Sequence, residues 1–150
     1  MTTVLLGLGS YAGPRAEAAL LAHVAHHDAE VRRAVAGGLG TPLDSTELSE
    51  AAIEALLVLM TDVDAAVRRA ACRSAGQGRD LDPVLAEAMA ALLDDTDRQV
   101  QVIAVYGLAL HDDERCVEAA RRLGPPQPGY PDAEDYRHAV WRYEWRRDGR

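Results

Sequence analysis

One short pattern recurs three times along the chain and constrains its fold more than any other feature. The copies run from His26 to Gly40, from Asp62 to Gly76 and from Asp95 to Ala109. They align on Val31, Val67 and Val100, which are 36 and then 33 residues apart. A fixed period of this size marks stacked supersecondary units, each too small to bury its apolar face alone and each covered by the next.

A second apolar series precedes each valine: Leu20, Leu21 and Val24, then Leu56, Leu57 and Met60, then Met89, Ala90 and Leu93. Spacings of three and four put each set on one helical face. The unit is therefore predicted as an outer helix, a tight turn and an inner helix that starts near the valine. Asp28, Asp64 and Asp97 stand three residues before it, where a carboxylate accepts from the first-turn amides and complements the helix dipole. Ala34, Ala70 and Ile103 follow the valine by three residues, and Leu39, Ala75 and Leu108 by eight, which gives the inner helix its own buried stripe. Gly38, Ser74 and Gly107 follow it by seven. Glycine costs up to about 1 kcal/mol inside a helix, so a small residue in this slot of every copy implies that a neighbouring helix comes close there. Composition agrees with helices: 27 alanines and 18 leucines stand against two isoleucines and no phenylalanine, asparagine or lysine.

The pattern resembles the HEAT repeat, in particular the short bacterial HEAT-like form that runs Asp-x-Asp-x-x-Val-Arg-x-x-Ala-x-x-Ala-Leu-Gly. The second copy fits best, with Asp62, Asp64, Val67, Arg68, Ala70 and Gly76. The resemblance covers residues 3 to about 124 and implies a right-handed α-solenoid. It also implies a ladder between adjacent repeats, in which the turn aspartate Asp64 bonds with Arg32 or Arg68. His26 replaces the first aspartate of copy one and Gln101 the arginine of copy three, so the ladder is expected to stop there.

Both ends depart from the pattern. Residues 1–10 read as half a repeat, with Gly7, Leu8 and Gly9 on the slots of Gly38, Leu39 and Gly40, so the chain reads as starting inside a repeat or as carrying a minimal cap. Full repeats are expected at about 14–40, 46–77 and 82–110, followed by an outer helix at 112–124. Four prolines between residues 125 and 131 exclude a helix there, and helical character returns at 132–147 as a capping helix outside the family pattern. The fold expected is thus all-α, a single solenoid domain of about three and a half helix pairs with a C-terminal cap.

A net charge of −8 repels phosphate and disfavours general nucleic-acid binding. No apolar run approaches the roughly 18 residues of a membrane span, and no basic-then-apolar leader opens the chain. Cys72 and Cys116 fall on apolar stripes and make no disulfide framework, which points to buried thiols in a reducing cytoplasm. The arginine-only, alanine-rich composition points to a GC-rich bacterial genome.

His23, His26 and His27 have a spacing that two zinc ligands share, yet His23 occupies the slot of Leu59 and Leu92 and no carboxylate or cysteine pair completes a site. No metal and no cofactor are expected. HEAT-like enzymes offer three comparisons. The iron ligands of deoxyhypusine hydroxylase resemble paired His-Glu dipeptides repeated along the array, and this chain has no His-Glu dipeptide; for the bilin lyase class no chromophore pocket is legible. The HEAT-like alkyl-purine DNA glycosylase uses a basic groove with tryptophans. Arg32, Arg33, Arg68, Arg69 and Arg73 cluster on the first two inner helices and carry the nucleic-acid or glycosylase-type alternative. The bland reading gives Arg32 and Arg68 to the ladder and leaves the others solvated or paired with neighbours such as Glu30.

A surface role remains. Where two copies carry Arg33 and Arg69, the third has Val102, and the slot of Arg73 becomes Tyr106. This passage from cationic to apolar-aromatic suits a protein or peptide segment with acidic and hydrophobic parts, unless Val102 and Tyr106 pack beneath the C-terminal helix. Trp141 and Trp145 are expected either in the core, which is favoured because one helix rarely leaves two indoles exposed, or at a partner contact site. The function expected is non-enzymatic recognition of a protein or peptide along Arg33, Arg69, Arg73, Val102 and Tyr106, with Asp64, Arg32 and Arg68 structural. Self-association through the truncated first repeat, which leaves Val4, Leu5 and Leu8 to cover, is a further alternative.

Overall fold

Four aspartates and one serine cap five of the described helices. In a computed structural model that describes residues 14–40, 47–78, 80–125, 127–129 and 133–149, Asp28, Asp64 and Asp97 have extended backbones and accept from amides in the first turn of the helix that follows. Ser49 and Asp82 do the same for two further helices, the second with Pro83 at its first position. Each such cap contributes on the order of 1 kcal/mol and fixes where its helix begins.

The helices are α1 (Pro14–Leu21), α2 (Ala29–Gly38), α3 (Glu50–Leu59), α4 (Ala65–Gly76), α5 (Pro83–Ala91), α6 (Arg98–Leu110), α7 (Arg115–Leu123) and α8 (Ala133–Arg147), with a 3-10 turn at Leu92–Asp94. No strand occurs among the described residues. The even-numbered helices form one layer, α2 against α4, α4 against α6 and α6 against α8. The odd-numbered α1, α3 and α5 run beside them as a second layer, and α7 packs on α6. The half-repeat expected at 1–10 lies outside the described residues.

Val31, Val67 and Val100 sit at equivalent depth, 2%, 0% and 0% exposed, which makes them matching rungs of the stack. The small residues set the spacing between rungs. A Cβ on Gly40 would lie 2.7 Å from Ser74 Oγ, and one on Gly76 would lie 3.1 Å from the Cα of Gly107. The residue nine past one valine therefore meets the residue seven past the next. Ser74, buried in this contact, donates from Oγ to Ala36 O across 2.7 Å and so leaves no orphan hydroxyl.

The C-terminal helix belongs to the same series. Tyr136 follows Val100 by 36 residues, the interval between Val31 and Val67. Tyr136, Ala139 and Tyr143 are buried, and α8 lies along α6 in the inner layer. Expected as a cap outside the pattern, α8 takes the place of a fourth inner helix, with α7 preceding it as an outer helix and the proline-rich segment between them.

Two glycines separate spacing from propensity. A Cβ on Gly37, exposed in α2, meets nothing within 4 Å, so Gly37→Ala should stabilise the protein by about 0.5 to 1 kcal/mol. Gly76→Ala makes the same propensity gain but drives a methyl against the backbone of Gly107, and should lower stability by about 1 kcal/mol or more. Urea unfolding followed by circular dichroism measures both.

Candidate interaction face

The residue after each of the first two valines ties one rung to the next. Arg32 donates from Nε and Nη2 to both carboxylate oxygens of Asp62, at 2.7 and 2.9 Å. Arg68 does the same to Asp95, at 2.8 and 2.9 Å. The remaining nitrogen of each guanidinium donates to carbonyls of its own turn, His26 and His27 for Arg32, Asp62 and Val63 for Arg68. Both pairs are largely shielded, with 13% and 10% of the side chains exposed in the first and 14% and 8% in the second.

The carboxylate differs from the one expected. Asp64 turns back on its own helix and caps α4 through Ala66 N and Val67 N. Asp62, two residues earlier, reaches the preceding repeat, and its Oδ1 also accepts from Asp64 N at 2.9 Å. Asp95 accepts likewise from Asp97 N. The two aspartates of each turn thus divide the work, one for the helix and one for the neighbour. In the first copy His26 Nδ1 takes over the turn bond by accepting from Asp28 N. In the third, Gln101 donates to Asp95 O and keeps the bond to its own turn without a reach beyond it.

These bonds govern the charge states. The bond from Arg32 holds the Asp62 carboxyl below the usual carboxylate range against an opposing push from burial. Burial pushes Asp95 up, and the bonds from Arg68 and the Asp97 amide outweigh it, so its carboxyl also titrates low. Asp113, bonded by Arg115, shifts the same way.

The proposed contact residues lie two and six places past the valines. Arg33 is exposed and paired with Glu30 at 2.6 Å. Arg69, half-buried, donates to Gln99 Oε1 on α6 at 2.7 Å. Arg73 and Tyr106 are half-buried, and Tyr106 packs against the core. Val102 departs from the expectation: it is 4% exposed and part of the core. A short apolar side chain stays within the helix packing at a place where arginines reach out of it. The register of α8 adds His138 and Arg142 to the same row, both exposed. Sequence reading passed over them because the proline-rich segment hid the fourth rung, although the 36-residue interval from Val100 to Tyr136 marks it. Beside the row, a cleft of about 290 Å³ opens between the starts of α4 and α6, lined by Asp64, Ala65, Ala66, Arg69, Asp97 and Gln99.

Elsewhere the chemistry is quiet. His26 and His27 stack at 4.3 Å, and His23 Nδ1 bonds Ala19 O. Among the described residues no group of three or more histidines, cysteines or carboxylates is placed to hold a metal ion. Cys72 and Cys116 are free and buried. Burial pushes the Cys116 thiol up to about 11 and Cys72 further in the same direction, so neither is a thiolate at neutral pH. No described helix is long and apolar enough to cross a membrane. Trp141 and Trp145, expected in the core, are 63% and 48% exposed. The chain matches no family model and no curated protein.

The lowered carboxyl groups fix the sign of the acid response. Each contributes stability that is present above the ordinary carboxylate pKa and is lost as pH falls through its lower folded value. Stability should be level from neutrality to about pH 5 and fall below about pH 4. Asp62→Asn should be less stable at neutral pH and show a shallower acid decline, read from urea unfolding at a series of pH values.

Proposed function

We propose that this chain is a HEAT-like right-handed solenoid, cytoplasmic and bacterial, that acts without catalysis as a scaffold for a protein or peptide segment. The observation that carries this reading is the row formed by Arg33, Arg69, Arg73, Tyr106 and Arg142 on four successive inner helices. The chain as a whole has a net charge of −8, so a row this rich in arginine is a concentration of charge against the average. It suits an acidic segment with an aromatic or aliphatic side chain to set against Tyr106. Helix pairs held by bridges and close glycine contacts lose little freedom when a partner docks, which favours binding by a preformed surface. The cleft beside Arg69 offers room for one side chain of the partner.

The arginine cluster gives the nucleic-acid reading less support. Arg32 and Arg68, two of its five members, are committed to the shielded bridges.

Replacing Arg69 by Glu and Tyr106 by Ala together tests the row. Central arginine and tyrosine anchors each contribute about 2 kcal/mol, so the double variant should bind its partner at least about 100-fold more weakly while helicity is retained. Partners captured from native cells by the unaltered chain and by the variant give the comparison. Equal capture by both would contradict the assignment.

A further inference from the structure

In the inner layer, the residues five and nine past each valine lie where the next helix arrives. They are Ala36 and Gly40, then Cys72 and Gly76, then Val105 and Ala109. Ala36, Cys72, Val105 and Ala109 are fully buried, Gly40 meets Ser74, and Gly76 meets Gly107. Counted from Tyr136, the same two positions in α8 are Trp141 and Trp145, and the ladder position is Arg137. Among the described residues, nothing covers on α8 the face that every earlier inner helix uses to receive its successor, and this face carries two exposed indoles stacked at 6.3 Å. Small residues would admit a further helix at the close spacing of the stack. Two indoles hold the next surface further away and present a broad aromatic anchor.

We propose that a second copy of this chain covers this face, through an antiparallel two-fold pairing of α8 with α8. Residues seven apart return to nearly the same side of a helix. Arg137 and Glu144 therefore border one side of the open face, His138 and Trp145 the other, and Trp141 runs along its middle; all five are exposed. A two-fold axis through the middle sets like border against like border. With the axis beside Trp141, each Arg137 lies opposite Glu144 of the other copy, and the indoles meet across the axis. The pairing is self-complementary in charge, as an isologous contact requires. Within the chain Arg137 also pairs with Glu134 and Arg147 with Asp148, so in the pairing each Arg137 stands between Glu134 of its own copy and Glu144 of the other. Four indoles exposed to this degree hide on the order of 500 Å². The exposed length of α8 on both copies adds to this, toward the roughly 1,200 Å² at the low end of stable interfaces, so dissociation in the micromolar range is expected.

The only two tryptophans of the chain are on this face, so intrinsic fluorescence reports on it directly. Sedimentation and emission spectra of the purified chain, followed from about 1 µM to about 1 mM, should show a monomer passing to a dimer while the emission moves to shorter wavelength. Trp141→Ser with Trp145→Ser should weaken association at least about 100-fold with helicity unchanged. Arg137→Glu alone and Glu144→Arg alone should each weaken it about tenfold, and the two together in one chain should restore it. A strict monomer with unshifted emission at every concentration, as when a different protein is the natural occupant, overturns the proposal. So does a dimer that survives the loss of both indoles, or a charge exchange that fails to restore association.

Discussion

The bridge from an arginine on one inner helix to an aspartate in the next turn is the interaction on which the stack depends. Its geometry is planar and two-pronged in both copies, and the same aspartate closes its own turn by accepting a backbone amide. One carboxylate thus joins local structure to the neighbouring repeat. A shielded ion pair of this kind contributes less through net energy than through the penalty for misplacing it, because either charge left alone in that setting costs about 3 kcal/mol or more. The two bridges fix the beginnings of α2, α4 and α6 against one another, and the glycine contacts fix their ends. A helix pinned at both ends can neither slide by a turn nor roll its stripe out of the core.

Where the bridges stop, the substitutions are chemically graded. His26 keeps the bond that closes the turn and gives up the carboxylate that an arginine would seek. Gln101 keeps the bond to its own turn and gives up the reach to a neighbour. Each replacement retains the half of the interaction that shapes the backbone. Arg137, at the corresponding place in α8, bonds to Ala133 O and to Glu134 within its own helix.

Much of this arrangement is legible in the amino-acid order, because the interactions that create it are short-range and repeated. The cap at Asp64, the rung at Val67 and the close contact at Ser74 and Gly107 each follow from residue type and interval. The exchange of roles between Asp62 and Asp64 was hidden, since both are aspartates in one turn and only their direction, set by the backbone of the cap, distinguishes them. The fourth rung was hidden by chemistry, with tyrosine at the place of valine after four prolines. The exposure of Trp141 and Trp145 depended on that rung, for only its register tells which side of α8 lacks a neighbour. The burial of Val102 is one of two outcomes its position allows, since the equivalent arginines are long enough to carry their charge out of the margin of the core and a valine is not.

Coupling between specific pairs, and not apolar burial alone, holds the rungs in register. A double-mutant cycle on Arg68 and Asp95, with Arg68→Ala, Asp95→Ala and the double variant unfolded in urea, measures that coupling directly. A favourable interaction of about 1.5 kcal/mol or more is expected, with the double variant losing much less than the sum of the single losses. Losses that add to within about 0.3 kcal/mol would contradict it.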